Sequence, residues 1–141
     1  MSIAWVETMV KRGASIGFFG IFGRSEDMRR LDDALRRAGV HPGSVPEGVK
    51  LAAVTLMAEH ASEPPAIAYP PVGELIALCM LGRGNFAAHN GQARLDSAVA
   101  RLEAALETGA GQDAELILLM LHAKLLDRGL VDFYGISAED E

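Results

Sequence analysis

Apolar residues recur along this chain at helical spacing, and no segment sustains the alternation of apolar and polar positions that a strand needs. The pattern predicts an all-α, compact bundle of about six helices. Ser25 stands where it can cap a helix whose first turn carries Glu26 and Asp27, and carboxylates there suit the helix dipole. Met28, Leu31, Ala34 and Leu35 then share one face, and Gly39-Val40 reads as a stop: glycine takes the left-handed conformation and the next apolar residue folds back. Ser44-Val45-Pro46-Glu47 has the spacing of a capping box. Behind it Val49, Ala52, Ala53, Leu56 and His60 fall on a common face.

Residues 63–71 contain four prolines and predict a rigid connector. The run from near Pro71 to Gly82 is apolar on nearly all sides, as a central helix would be. After the Asn90-Gly91 turn a helix follows to about Glu107, with Leu95, Val99, Leu102 and Leu106 inward. Gly109 to Gly111 make a break, and a last helix spans Asp113 to Arg128, with Gly129-Leu130 repeating the Gly39-Val40 stop. The segment before residue 25 differs in kind. Gly13, Gly17, Gly20 and Gly23 alternate with Ile16, Phe18, Phe19, Ile21 and Phe22. Each glycine costs about 1 kcal/mol of helix propensity relative to alanine, so a helix here must be held by packing.

Three echoes recur in the same order about sixty residues apart. Ile21-Phe22-Gly23-Arg24 resembles Met80-Leu81-Gly82-Arg83, residues 30–35 resemble 94–99, and 56–60 resemble 118–122. They suggest two pseudo-repeated three-helix halves, 1–62 and 70–129, joined by the proline connector within one domain.

Composition narrows the function. Half of the residues are apolar, which argues against disorder. The net charge of −6 argues against nucleic acid, which calls for a basic stripe. The arginines at 29, 30, 36 and 37 alternate with Asp32 and Asp33, at spacings expected to pair Arg29 with Asp33, Asp32 with Arg36 and Asp33 with Arg37 on a solvated helix face. A helix-turn-helix reading also fails, because the link from Gly39 to Pro46 is too long and the would-be recognition helix offers only Lys50 as a cation. The one cysteine, Cys79, lies between Leu78 and Met80 and reads as an inert apolar residue. One cysteine, no signal-peptide pattern and no membrane-length apolar run together give a cytoplasmic expectation with no membrane span. Tellurite-resistance-type helical domains have a comparable size and helix count, but their acidic Asp-Gly and Glu loop signature is absent, so no family membership follows.

Signatures of chemistry are sparse. There is no phosphate loop, no His-Glu-x-x-His and no Glu-x-x-His. The expectation is therefore no enzyme, no catalytic residue, no metal and no cofactor. Of the four histidines, His41 and His89 precede turn residues and read as loop positions. His60 and His122 fall on apolar helix faces, with Glu59, Glu74 and Glu115 as possible partners. They are the candidate ligand-binding pair, for a small molecule or a metal, in the alternative functional reading. The leading reading is a non-catalytic interaction module that forms a homo-oligomer, a dimer, through surplus aromatic surface near the termini: Trp5, Phe18, Phe22, Phe133 and Tyr134.

Overall fold

The computed structural model describes residues 25–61 and 64–137 of the chain. The described residues form helices joined by turns and loops, with no strand. A helix covers residues 25–37 (α1), and five more follow: Glu47–His60 (α2), Tyr69–Asn90 (α3), Gln92–Thr108 (α4), Gln112–His122 (α5) and Arg128–Tyr134 (α6). Short 3-10 turns at Pro42–Ser44 and Ala66–Ala68 lead into α2 and α3. Trp5, Phe18, Phe22 and the glycine-rich segment around the latter two lie outside the described residues.

The core forms because α2, the first half of α3 and α5 are apolar nearly all round. Leu56, Leu75, Ile76, Leu78, Leu116 and Leu119 are each at most 1 % exposed. The amphipathic helices α1 and α4 close over them, α1 through Leu31 and Leu35 and α4 through Leu95, Ala98 and Leu102. Buried Gly73 is where α1 meets α3: a Cβ there would stand 2.6 Å from the Ala34 Cβ. The buried apolar residues make one continuous core to which both proposed halves contribute. Two of the sequence echoes fall on α1 and α4 and on the last turns of α2 and α5; of the third, residues 80–83 lie on α3 and residues 21–24 are outside the described residues. A structural repeat is not shown.

Helix ends depart from the sequence reading where a side chain other than glycine does the work. The Gly39-Val40 stop forms as expected: Gly39 has φ +98° and Val40 N–H donates to Leu35 O at 2.9 Å. Ser25 is itself helical rather than a cap. Ser44 lies in the 3-10 turn, and Pro46 precedes α2 without a side-chain cap, so the capping box does not form. His89 belongs to the last turn of α3 rather than to a loop, because the helix resumes after a break at Gly82. The largest difference is at α5. It ends at His122, and the left-handed residue is Lys124 (φ +61°), with Leu125 N–H donating to Met120 O at 2.9 Å. The expected stop at Gly129-Leu130 instead lies inside α6, which ends in the same way at Gly135-Ile136.

The charged face of α1 also pairs differently from the expected i,i+4 ladder. Glu26 takes Arg29 and Arg30, and Asp33 takes Arg36. Asp32 turns to α2, where it meets the buried Lys50 ammonium at 3.0 Å, and Glu47 meets the same ammonium at 3.0 Å. Burial alone would lower the Lys50 pKa, but the hydrogen bonds its ammonium donates to Glu47 and Asp32 outweigh it and hold the group above its usual value.

Candidate interaction surface

The short helix α6 is fixed by three anchors. A break at Gly82 (φ +80°, ψ 170°) interrupts α3, and the Cys79 carbonyl just before it accepts a hydrogen bond from Asp127 N–H at 2.6 Å. The Asp127 carboxylate caps α6 through Leu130 N–H at 3.2 Å. It also fills the space a side chain at Gly82 would need, since a Cβ there would lie 2.8 Å from its Oδ2. Leu130 is buried, and Tyr134, one turn on, donates its hydroxyl to Glu103 Oε2 at 2.7 Å. Partial burial, then the Glu103 carboxylate, raises the Tyr134 pKa.

With Leu130 and Tyr134 committed inward, Phe133 points out. It is 67 % exposed, and only Ile67 in the connector, among the described large apolar side chains, is as open to solvent. Its ring meets Tyr134 edge-on at 4.8 Å between centroids, and the Arg83 guanidinium stands 5.2 Å from its own centroid. Beside the pair runs a mostly apolar groove of about 340 Å³, lined by Leu106, Ala114, Ile117, Leu118, Tyr134 and Ile136 among others. The left-handed residues Gly109 and Gly135 turn the chain at its rim. A second cleft of about 440 Å³, between α1 and the start of α2, is lined by Arg29, Arg36, Asp32, Asp33 and Glu47. Its mixed charges favour no ligand of one sign.

The structure brings Phe133 and Tyr134 into contact as neighbours on α6, and of the two it is Tyr134 that lines the groove. It does not bring His60 and His122 together. His60 ends α2 at the surface, where Nε2 lies 3.1 Å from Glu115 Oε1. His122 is half-buried at the end of α5, two turns beyond Glu115 or about 10 Å along the helix. Neither histidine lines one of the four described cavities. Among the described residues no three histidine, cysteine or acidic side chains gather as metal ligands would. Cys79 is fully buried, and burial, with the nearby Asp113 carboxylate, pushes its thiol pKa up to about 12.

Sequence reasoning missed the part played by Asp127 and Gly82. The available signal was Asp127-Arg128-Gly129-Leu130, a capping residue ahead of a helical turn, which the unbroken apolar run before it concealed.

Among the described residues no helix is long and apolar enough to cross a membrane. Comparison of the chain with protein-family models, with curated proteins and with solved structures finds no match.

Proposed function

We propose that this all-helical protein is a non-catalytic interaction module that self-associates through the exposed side of α6 and the adjoining groove. The observation that carries the reading is Phe133: a large aromatic ring left two-thirds exposed on a helix anchored by Asp127, Leu130 and Tyr134. A ring carried on an anchored helix needs little backbone ordering on association, and aromatic residues concentrate in the cores of interfaces. The apolar groove lined by the neighbouring Tyr134 adds surface that gains from being covered. Closed two-fold dimers are the commonest assemblies of small proteins.

Light scattering of purified protein at micromolar concentrations tests this. The wild type is expected to give a mass near twice that of the chain, and Phe133→Asp a mass near one chain with an unchanged circular dichroism melt. A wild type that stays monomeric up to hundreds of micromolar contradicts the reading, and so does a dimer indifferent to the substitution.

A further inference from the structure

We propose that Asn90-Gly91 is a site of spontaneous, one-way deamidation, held in check by a clasp between the ends of α1 and α3 and released when that clasp opens. The proposal is independent of self-association.

The chemistry begins with the sequence. Asparagine deamidates when the main-chain nitrogen of the next residue attacks its side-chain carbonyl carbon, and glycine, with no Cβ in the way, is the most permissive follower. The chain has two asparagines: Asn85, followed by Phe86, and Asn90, followed by Gly91. Hydroxide removes the Gly91 N–H proton, and the nitrogen then bonds to Asn90 Cγ. The Cγ–Nδ2 bond breaks, and the nitrogen leaves as ammonia with a proton taken from water. The succinimide ring that remains takes up a water molecule. Opening at Cγ gives aspartate, and opening at the main-chain carbonyl gives isoaspartate.

The fold opposes the first step. Asn90 is the last residue of α3, and Gly91 N–H donates to Ala87 O at 2.8 Å, so the proton that must leave is engaged. Asn90 Nδ2 donates to Ala38 O, just past the end of α1, at 2.9 Å and to Phe86 O at 3.2 Å. Gly39 closes the same junction, since a Cβ there would stand 2.8 Å from His89 Cγ. Attack therefore requires the last turn of α3 to unwind and the amide to leave both carbonyls. Gly91 is exposed, so water reaches the reacting bond once the turn opens.

The product cannot rebuild the clasp. An ionised aspartate only accepts hydrogen bonds. In place of the amide nitrogen it sets an oxygen against the carbonyls of Ala38 and Phe86. Its other oxygen takes the place of Asn90 Oδ1, which is buried and has no hydrogen-bond partner among the described residues. A charge held there without a donor disfavours the closed state. Isoaspartate acts differently, through the main chain. It adds a methylene where Gly91 (φ +90°) alone joins α3 to α4, and so moves the two helices out of register. Opening permits the modification, and the modification keeps the clasp open, as a covalent record of unfolding.

Peptide mapping by mass spectrometry tests this, on the chain incubated in mildly alkaline buffer either native or unfolded in guanidinium chloride. In the unfolded chain Asn90 is expected to convert to aspartate and isoaspartate while Asn85 stays an amide. In the native chain conversion of Asn90 is expected to be at least about tenfold slower, because it waits on local opening. Asn90→Asp, made directly, is expected to lower the urea unfolding midpoint by roughly 1 M. An unfolded chain that keeps Asn90 intact, or a native chain that converts it as fast as the unfolded one, overturns the proposal. An Asn90→Asp protein as stable as the wild type means that the product recloses the clasp, and overturns the one-way character.

Discussion

Gly73→Ala changes one hydrogen to a methyl group at the crossing of α1 and α3, and the structure sets the size of its effect. The added Cβ would stand 2.6 Å from Ala34 Cβ, 2.8 Å from Ala34 C and 2.9 Å from Ala34 O. Carbon atoms pack comfortably at about 3.5–4.0 Å, so α1 must retreat by roughly 1 Å. The obstructing atoms are a Cβ and main chain, which have no rotamer by which to move aside. Retreat would loosen the seating of Leu31 and Leu35, both fully buried. Overpacking of this kind costs about 1–3 kcal/mol, and rigid obstruction argues for the upper end. Alanine recovers about 1 kcal/mol of helix propensity, leaving a net loss of roughly 2 kcal/mol. Gly84→Ala is the matched comparison. It lies on the same helix beyond the break, is exposed, and a Cβ there would meet nothing within 4 Å, so it should stabilise by roughly 0.5–1 kcal/mol. Urea unfolding followed by circular dichroism measures both. Equal effects of the two substitutions, or a Gly73→Ala protein as stable as the wild type, would refute the close crossing.

Two further substitutions or conditions probe other parts of the fold. Lys124→Gly is expected to stabilise by roughly 0.5–1 kcal/mol, because it relieves a left-handed lysine at the end of α5; a destabilised variant in the same urea titration would show that the lysine side chain holds that turn. Stability should fall steeply above about pH 9. The Tyr69 pKa is raised to about 12, by burial and by its hydrogen bond to Asp27, and that of Cys79 is raised to about 12 by burial; Lys50 shifts in the same direction. All three bind their protons more tightly folded than unfolded, so their contribution is complete below the unfolded values and is lost as pH rises toward the folded ones. Thermal melts from pH 8 to 11 should show the fall, with Tyr69→Phe making it shallower; a melting temperature level across that range would contradict the burial of these groups.

Helix identity was legible in the sequence wherever long apolar periodicity met a glycine stop or a proline. The α1 stop at Gly39, the central character of the segment before Gly82 and the inward residues Leu95 and Leu102 of α4 all follow from local pattern. The misreadings have a common cause. α5 and α6 read as one helix with a short tail because the stop between them uses Lys124 in the left-handed conformation, which no residue preference announces. Lys50 reads as a solvent cation because its burial depends on Asp32, eighteen residues away on another helix. His60 and His122 read as equivalent inward positions, but α2 ends where His60 reaches the surface and Glu115. At the candidate surface, the aromatic content of residues 133 and 134 was visible. That one ring is turned inward to Glu103 and the other outward to solvent depends on the Asp127 cap, which sets where α6 begins.

Amide hydrogen exchange measured on the same protein at about 1 μM and at about 200 μM tests self-association through α6 most directly. Protection is expected to rise with concentration at residues 128–137 and along the neighbouring stretches of α3 and α4 around Arg83 and Glu103, while the amides of α1 and α2 stay unchanged. Exchange that is independent of concentration over the whole chain, or protection confined to α1 and α2, would contradict the account.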